Sequence, residues 1–424
     1  MVFVLARNKR PLMPCSEKRA RLLLQRGRAR VHRLHPFAIR LVDRADGAAQ
    51  PIALKLDPGS KTTGIALVRI DGATIHPLAL IELEHRGAQI RDALTQRAGF
   101  RRGRRSRNLR YRAPRFDNRS RRDGWLPPSL RHRLETTLAW AQRLRRLAPI
   151  SSLAQELARF DTQKAQNPEI AGVEYQQGTL AGYEIREYLL EKWGRACAYC
   201  DAKNVPLQID HVAPKSRGGS DRVSNLTLAC EPCNTAKGNM PVEEFLAGDP
   251  ARLKRILAQL KTPLRDAAAV NATRFAIGRA LATLDLPVTF WSGGRTKFNR
   301  CSQNYPKAHW VDAACVGDRG ASVILYPTSR ILAVRALGRG TRQVRRPDAH
   351  GFPRGSAKRI KDVRGFRTGD FVRLVQPSGK YAGTHVGSVA VRARGDFDIA
   401  TASGKITAPA ARYTLLQRAN GYVA

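Results

Sequence analysis

Acidic residues and long apolar runs are both scarce in this chain of 424 residues. Only 34 Asp and Glu stand against 75 Lys and Arg, so the formal net charge is +41 and the pI is near 11.2. Such an excess would repel itself unless a polyanion neutralised it, and nucleic acid is therefore the expected partner. A membrane surface fits less well, because no run approaches the ~18 apolar residues of a spanning helix and the basic residues are spread along the chain.

Cysteine is scarce as well, and its seven copies are an odd number. The apolar run at the N-terminus, Val2–Leu5, is shorter than the hydrophobic region of a signal peptide. Disulfides need an oxidising compartment, and nothing in the sequence indicates one. We therefore predict a cytoplasmic protein with reduced thiols.

Four of the cysteines form two Cys-x-x-Cys pairs, Cys197/Cys200 and Cys230/Cys233. A segment this short buries too little apolar surface to fold alone, and four thiolates around Zn²⁺ would supply the missing stability. The spacing predicts a structural zinc site. Disulfides or free thiols are the alternatives.

Polar residues with catalytic chemistry accompany these pairs: Asp210 and His211, then Asn225, then Asn234. An imidazole with a near-neutral pKa can deprotonate water, while carboxylate and amide oxygens suit Mg²⁺. The pattern predicts hydrolysis of a phosphodiester with one metal ion. A bare zinc ribbon that only binds nucleic acid is the alternative, but it would have no need for the Asp-His pair.

This segment resembles HNH endonucleases of the ββα-metal type with a four-cysteine zinc knuckle. The resemblance implies that His211 is the general base, that Asp210 and Asn234 bind one Mg²⁺, and that Asn225 braces the loop. Asn at position 234 matches the variant found in CRISPR type II effectors and their relatives. Lys237, close to these residues, is predicted to contact the DNA backbone.

The N-terminal region contains the tetrapeptide Pro-Leu-Met-Pro at residues 11–14. Two prolines around two apolar residues predict a rigid turn. A strand is predicted at Val2–Leu5, and a helix is predicted to start at Ser16, a good N-cap residue. A short domain with this tetrapeptide is typical of IscB proteins, the transposon-associated nucleases related to CRISPR type II effectors.

An IscB protein carries a RuvC-like nuclease split into three pieces. Asp57 ends a predicted strand that opens a three-stranded antiparallel unit, as in RNase H-like folds. Glu156 begins a Glu-Leu-x-x-Phe-Asp-x-Gln pattern, and His309 and Asp312 share one face of a predicted helix. The resemblance implies that the three carboxylates hold two Mg²⁺ and that His309 lies near the nucleophilic water. Without the other motifs, Asp57 would be interpreted as a turn residue at the end of a strand, and Glu156 as a surface residue of a helix.

Between residues 101 and 112, seven of twelve residues are Arg and none is acidic. A solvated charge run normally mixes signs, so we predict a helix whose guanidinium groups grip phosphates. In IscB proteins an arginine-rich bridge helix here holds the guide RNA. The resemblance gives this role to Arg101, Arg102, Arg104, Arg105, Arg107 and Arg110.

The last ninety residues are basic and alternate short strands with Gly and Asp turns, which predicts a small β-barrel of SH3-like or OB-like type. In IscB proteins this region contacts the RNA scaffold and the short DNA motif beside the target. Arg359 and Lys361 fit phosphate contacts there.

The predicted fold is an α/β multidomain chain with an RNase H-like (RuvC) core split in three, an inserted ββα-metal HNH domain and a small C-terminal β-barrel. The predicted segments are the PLMP domain (1–48), RuvC-like part I (49–85), the bridge helix and following helix (86–148), RuvC-like part II (149–165), the HNH domain (166–250), RuvC-like part III (251–335) and the basic C-terminal domain (336–424).

By resemblance, the function is RNA-guided cleavage of double-stranded DNA, in which the HNH site cuts the guide-paired strand and the RuvC-like site cuts the displaced strand. The implied partners are a noncoding guide RNA and a DNA duplex with a short adjacent motif, bound by a monomer in the prokaryotic cytoplasm. A protein-only endonuclease of the homing type and a non-catalytic RNA-binding protein are the alternatives.

Overall fold

The computed structural model describes residues 1–106, 125–157, 189–190, 192–220, 224–260, 265–326, 329–338, 348–355, 361–401 and 404–423. The chain divides into two compact units. Unit 1 comprises Met1–Glu156 and Ala276–Ala424, and unit 2 comprises Leu157–Phe275. Both contain helices and strands, which agrees with the predicted α/β multidomain class.

The strands are β1 (Val2–Leu5), β2 (Pro11–Cys15), β3 (Ala29–Arg33), β4 (Ala38–Leu41), β5 (Ile52–Pro58), β6 (Thr62–Asp71), β7 (Thr74–Glu84), β8 (Ser152–Glu156), β9 (Leu207–His211), β10 (Leu226–Cys230), β11 (Val288–Trp291), β12 (Ser322–Val323), β13 (Ile331–Ala336), β14 (Phe371–Gln376), β15 (Gly383–Val391), β16 (Asp396–Thr401), β17 (Gly404–Pro409), β18 (Tyr413–Gln417) and β19 (Tyr422–Val423). The α-helices are α1 (Glu17–Gln25), α2 (Gly87–Ser106), α3 (Pro128–Arg145), α4 (Glu231–Lys237), α5 (Val242–Phe245), α6 (Pro250–Leu260), α7 (Arg265–Ala282), α8 (Gly293–Cys301) and α9 (His309–Cys315). No helix in these described ranges is long and apolar enough to cross a membrane.

The N-terminal sheet has the strand order β2-β1-β4-β3. The prediction that residues 11–14 form a turn is wrong, because they lie in strand β2 at the edge of this sheet. An edge strand tolerates proline, since its missing N–H can face away from the ladder. The predicted start of helix α1 is confirmed, and the Ser16 hydroxyl accepts a hydrogen bond from the backbone N–H of Arg19 at 3.3 Å.

An eight-stranded mixed sheet forms the centre of unit 1, with strands β11-β8-β5-β6-β7-β13-β19 in order and β12 also paired with β7. Strands β5, β6 and β7 are consecutive and antiparallel, as predicted, whereas β8 and β11 run parallel to β5 on its other side. Helix α3 packs its buried Trp140 and Leu144 into a core that includes Leu54 and Leu56. This arrangement brings the ends of β5 and β8 together.

The C-terminal strands form an antiparallel sheet of order β17-β16-β15-β14-β18 around a core that includes Leu374 and Phe397. The described pairings do not join β17 to β18, so a closed barrel stays a prediction. The chain then returns to the central sheet of unit 1, because β19 pairs with β13.

Unit 2 contains the antiparallel pair β9–β10, followed directly by helix α4. Its core includes Leu228, Val242 and Ile256. Helices α6 and α7 follow the ββα segment along the chain. Arg107, Arg110 and Arg359 lie outside the described residues.

Candidate active sites

The first candidate site, in unit 2, is built on the β9–β10 pair and helix α4. Asp210 and His211 are the last two residues of β9 and pair with Thr227 and Leu226 of β10. The chain leaves β10 at Cys230 and enters α4 at once. These elements form a ββα unit with the Asp-His pair at the end of one strand.

The Asp210 carboxylate is buried and held by two donors. The Tyr199 hydroxyl donates a hydrogen bond to Asp210 Oδ2 at 2.5 Å, and Lys237 Nζ lies 3.2 Å from the same carboxylate. Burial, reinforced by the charge of Asp210, raises the pKa of the Tyr199 phenol, which therefore remains a donor at neutral pH. The two donors fix the orientation of Asp210 before any substrate is present.

Lys237 was predicted to contact the DNA backbone, and the structure corrects this. Only 1% of its surface is exposed, and its ammonium also donates to the backbone oxygen of His211 at 2.7 Å. A cation with its charge satisfied inside the protein is not available to a phosphate. Lys237 instead ties the end of α4 to the Asp-His pair.

The side-chain amide of Asn225 contacts the loop that follows His211. Its Oδ1 accepts a hydrogen bond from the backbone N–H of Ala213 at 2.8 Å, and its Nδ2 donates to the carbonyls of Ala213 and Ser220, each at 2.9 Å. Gly219 packs against this loop, because a β-carbon there would lie 1.7 Å from the Ala213 oxygen. The contacts of Asn225 are structural.

Asn234 lies on α4 and its Nδ2 donates to Gln208 Oε1 at 2.5 Å. Gln208 is on β9, two residues before Asp210. His211 is half-buried at the end of the same strand. The amide of Asn234 is thus directed at the strand that carries Asp210 and His211.

The four cysteines of the predicted zinc site come together in unit 2. The sulfur atoms of Cys197, Cys200, Cys230 and Cys233 all lie within 4.8 Å of one another. Cys230 is the last residue of β10, and Cys233 is in the first turn of α4. Four convergent sulfurs fit a tetrahedral zinc ion, which would fasten the loop around Tyr199 to the junction of β10 and α4.

The second candidate site, in unit 1, lies where strands β5 and β8 end. Leu56 pairs with Gln155 in parallel register, so the next residues, Asp57 and Glu156, follow at the same edge of the sheet. Both are buried. The structure therefore brings together two of the three predicted carboxylates, which are far apart in the sequence.

Helix α9 adds the remaining predicted residues. Its first residue is His309, whose Nδ1 lies 2.6 Å from Asp57 Oδ2. Burial acts to lower the pKa of His309, but the hydrogen bond and charge of Asp57 outweigh it, and the pKa is raised above its ordinary value. Asp57 therefore orients the imidazole and favours its protonated form.

Asp312 is one turn further along α9 and is also buried. Arg300 Nε lies 2.9 Å from its Oδ1, and Lys307 Nζ contacts its Oδ2. Burial raises the pKa of Asp312 while Lys307 opposes this effect. Two basic side chains thus balance the charge of Asp312.

Two glycines allow α9 to approach the β5–β6 hairpin. A β-carbon on Gly64 would lie 1.8 Å from the carbonyl oxygen of His309, and one on Gly59 would lie 2.6 Å from the imidazole Cε1 of His309. Gly64 is paired with Asp57 across the hairpin. The hairpin therefore seats His309 against Asp57 through backbone contact.

The other end of α9 is held by two buried polar side chains. Lys55 Nζ, on β5, donates to the Val316 carbonyl at 2.6 Å, and Asn299 Nδ2, on α8, donates to the Cys315 carbonyl at 3.0 Å. Burial lowers the pKa of Lys55 to about 8. These donors satisfy terminal carbonyls of the helix and fix its position along the sheet.

The donor chemistry of both sites fits Mg²⁺, which prefers carboxylate and amide oxygens. Among the described residues, the ligand atoms of the carboxylates in unit 1 are not as close to one another as the four cysteine sulfurs are. Within the described ranges, the four cysteines are the one group of three or more His, Cys, Asp or Glu whose ligand atoms all lie within 4.8 Å of one another.

Helix α2 carries the described part of the arginine-rich run. Of its residues, Gly87 alone is buried, and Arg101, Arg102 and Arg105 are exposed. Arg104 differs, because it donates to the Gly351 carbonyl and lies 5.8 Å from the Phe352 ring centroid. Lys361, in the C-terminal region, is exposed.

Several residues that shape the two sites were not identified from the sequence: Tyr199, Lys55, Asn299, Arg300, Lys307 and Gly64. Lys55 carried a signal, because a lysine flanked on both sides by the apolar residues Ile52–Leu54 and Leu56 of β5 must find an internal partner. For the others, the partners are distant in sequence and no local pattern indicates them.

Comparisons with known proteins support an endonuclease. Residues 2–178 match the family of RRXRR proteins, and residues 197–240 match HNH endonucleases. The HNH match confirms the predicted enzyme class, a hydrolase that cleaves nucleic acid. No curated protein sequence matches the chain.

Two solved structures illustrate the similarity. The type II-C Cas9 enzyme from Actinomyces naeslundii is 14% identical with a TM-score of 0.20, and the match covers 64% of this chain and 60% of that chain. Streptococcus thermophilus Cas9 in complex with the GGAA PAM is 13% identical with a TM-score of 0.21, and the match covers 62% of this chain and 31% of that chain. The chain therefore spans less than two thirds of the length of either protein.

Proposed function

We propose that this chain, an IscB-like protein with an HNH endonuclease domain, is an RNA-guided endonuclease that cuts both strands of a DNA duplex. The observation that carries the proposal is that each compact unit holds its own acid–imidazole set. Asp57 and His309 meet in unit 1, and Asp210 and His211 are adjacent in unit 2. Two separate sets suit an enzyme that cuts two strands.

In unit 2, His211 acts as the general base that takes a proton from water. Asp210 and Asn234 are the residues that would hold one Mg²⁺. Tyr199 and Lys237 keep the Asp210 carboxylate oriented, and Asn225 keeps the loop after His211 in place. This preorganisation lowers the cost of aligning the base with the scissile phosphate.

In unit 1, Asp57, Glu156 and Asp312 are the residues that would hold two Mg²⁺. When bound, Mg²⁺ in either unit supplies positive charge that stabilises the charge developing on the phosphate during hydrolysis. His309, oriented by Asp57, accepts a proton from the attacking water in its neutral form, and the Asp57 carboxylate stabilises the imidazolium that results. Lys307 and Arg300 lie against the Asp312 carboxylate and offset its charge.

The same proposal includes the folds and the boundaries of the individual domains. The sheet order around β5, β6, β7 and β8 is consistent with an RNase H-like core assembled from three segments, and β9, β10 and α4 are consistent with a ββα-metal domain. The four cysteines fit a structural Zn²⁺. The domain boundaries given in the sequence analysis, and a C-terminal region that contacts the RNA and a motif adjacent to the target, are parts of this proposal.

RNA guidance is supported by charge and exposure. The net charge of +41 needs a polyanionic partner, and Arg101, Arg102 and Arg105 present their side chains on an exposed helix. The resemblance to IscB proteins supports a guide RNA as that partner. Base pairing then selects the target, with the HNH site acting on the paired strand and the unit 1 site acting on the displaced strand.

Strand-resolved cleavage tests the proposal. The protein is co-expressed with its flanking genomic DNA, and Mg²⁺-dependent cutting of a duplex that matches the co-purified RNA is measured before and after RNase treatment. Asp57→Ala is expected to cut only the guide-paired strand, and His211→Ala only the displaced strand. Asp46→Ala and Glu243→Ala remove exposed carboxylates from units 1 and 2 and serve as matched controls.

Cutting that persists after RNase would move the protein to the homing-type class, and binding without any cutting would favour a non-catalytic RNA-binding protein. If one of the two variants stopped cutting of both strands while remaining folded, the assignment of one strand to each site would be wrong.

A further inference from the structure

Beside the unit 1 site, two aromatic rings alternate with two arginines on the protein surface. Arg295 Cζ lies 5.2 Å from the Trp291 ring centroid, and Arg319 Cζ lies 4.4 Å from the Phe298 ring centroid. Arg295 and Phe298 are three residues apart on α8 and are therefore neighbours on one face. We call these four residues the aromatic–arginine row: Trp291, Arg295, Phe298 and Arg319.

Three residues of the row face solvent, and Trp291 is half-buried. Phe298 is 41% exposed even with Arg319 over its ring, and Arg295 and Arg319 are both exposed. The other face of α8 is turned inward, where Thr296 and Asn299 are buried. The helix thus has a packed side that positions it and an open side that carries the row.

Two contacts tie the row to the candidate active site. Trp291 pairs with Glu156 in the parallel register of β11 and β8. On α8, Arg300 forms an ion pair with Asp312, with Arg300 Nε 2.9 Å from the Asp312 carboxylate. The row therefore begins beside one proposed metal-binding carboxylate, and its helix contacts another.

We propose that the aromatic–arginine row is a binding subsite for unpaired DNA, which stacks bases on Phe298 and Trp291 as the displaced strand enters the unit 1 site. This inference rests on the proposed function. Aromatic faces bind single strands because every base has a face to stack, whereas the bases of a duplex have theirs covered by neighbours. Arg295 and Arg319 supply the positive charge that the phosphates between stacked bases require.

The subsite explains how a strand with no pairing partner is held in register for cutting. In the proposed complex, the guide-paired strand is fixed by its hybrid with RNA. The displaced strand lacks such a partner, so stacking beside Glu156 would restrict its motion and bring a phosphate to the carboxylates.

The test compares variants of Phe298 in the assembled protein–RNA complex with strand-resolved cleavage as the readout. Phe298→Ala is expected to slow cutting of the displaced strand about fivefold or more, the loss of roughly one stacked base, and to leave cutting of the guide-paired strand unchanged. Phe298→Leu should behave like the Ala variant because it keeps an apolar side chain but has no ring. Phe298→Trp should retain the wild-type rate.

Tyr326→Ala is the matched control, since Tyr326 is a 61% exposed aromatic residue of the same unit outside the row. It should cut both strands at the wild-type rate. The inference is overturned if Phe298→Ala cuts the displaced strand at the wild-type rate, if the Leu variant retains full activity, or if both strands slow equally.

A second measurement does not depend on RNA guidance. The purified full chain is irradiated with a single-stranded DNA oligonucleotide that contains 5-iodouracil, a base that crosslinks to stacked aromatic side chains, and the crosslinked residues are mapped by mass spectrometry. Crosslinks at Phe298 or Trp291 support the subsite even if the chain proves not to be RNA-guided. Crosslinks confined to other residues overturn it.

Discussion

Gly64 and His309 lie in direct backbone contact, so close that a β-carbon on Gly64 would sit 1.8 Å from the His309 carbonyl oxygen. The same hairpin carries Asp57, whose carboxylate lies 2.6 Å from the His309 imidazole. Helix α9 can therefore bring His309 to Asp57 only where the hairpin has no side chain.

Gly64→Ala should push α9 away from the hairpin and separate His309 from Asp57. Displacements of about 1 Å at a catalytic group cost on the order of 100-fold in rate, so cutting by the unit 1 site should fall by that order while cutting by the HNH site is retained. Gly248→Ala is the control, because a β-carbon there has nothing within 4 Å. Wild-type cutting of the displaced strand by Gly64→Ala would contradict the role of this contact.

Lys237→Met tests the corrected position of Lys237. Removing one partner of a buried ion pair leaves Asp210 uncompensated, so unit 2 should lose about 3–5 kcal/mol of stability. The measurement is thermal unfolding of unit 2 together with strand-resolved cleavage, in which the HNH cut should be the one that falls. Lys254→Met, at an exposed position on α6, is the control.

If Lys237 contacted a DNA phosphate, as the sequence analysis predicted, Lys237→Met would have a different effect on stability and on binding. A residue that only touched DNA would leave unfolding unchanged and would reduce the salt dependence of binding by about one charge. Normal stability with a reduced salt slope in Lys237→Met would therefore restore that role.

Replacement of Cys197 and Cys200 by Ser tests the zinc site. Because these residues supply two of the four convergent sulfurs, the variant should release the metal and lose the fold of unit 2, whose stability would depend on the ion. Metal analysis of the purified protein and hydrogen exchange in β9 and β10 measure the two effects. Cys15→Ser and Cys301→Ser change thiols outside the cluster and are the controls; a full complement of zinc in the double variant would rule out this ligand set.

Much of the fold followed from local pattern. The hairpin strands β5 to β7 were predicted because apolar runs are separated by turn residues, and α1 was predicted from its Ser16 cap. The tetrapeptide at residues 11–14 was interpreted wrongly, since the preference of proline for turns is a local rule and the edge of a sheet is a tertiary environment.

The contacts within the two sites were harder to predict from the sequence. The partners Asp57 and His309 are 252 residues apart, and motif resemblance rather than periodicity brought them into one hypothesis. The burial of Lys237 could not be predicted, because whether a lysine is a surface or an internal charge depends on how α4 packs on β9.

His85, just after β7, gives unit 1 a predictable response to acid. It is 8% exposed, its Nε2 lies 2.8 Å from Thr63 Oγ1, and its Nδ1 has no hydrogen-bond partner among the described residues. Burial first, and then the nearby Arg133 and His132, lower its pKa to about 3. The folded protein thus keeps this imidazole neutral although the unfolded chain would protonate it near the ordinary histidine value.

The sign of the effect follows from that difference. Between the unfolded value of about 6.5 and the folded value, the unfolded chain binds more protons, so the stability that His85 contributes is fully present above about pH 6.5 and is lost as pH falls toward 3. Relative to His85→Gln, the wild type should lose on the order of 2 kcal/mol between pH 7 and pH 5. Native-state hydrogen exchange of the β6 amides measures this free energy within unit 1.

His76→Gln is the matched control, since His76 lies on the adjoining strand β7 and is only half-buried. That variant should keep the wild-type dependence of stability on pH, because His85 is still present. Equal slopes for the wild type and His85→Gln between pH 7 and pH 5 would mean that His85 takes up its proton without unfolding. The hydrogen bond to Thr63 would then have to rearrange to accept a charged ring, and the buried histidine would not limit the stability of unit 1 in acid.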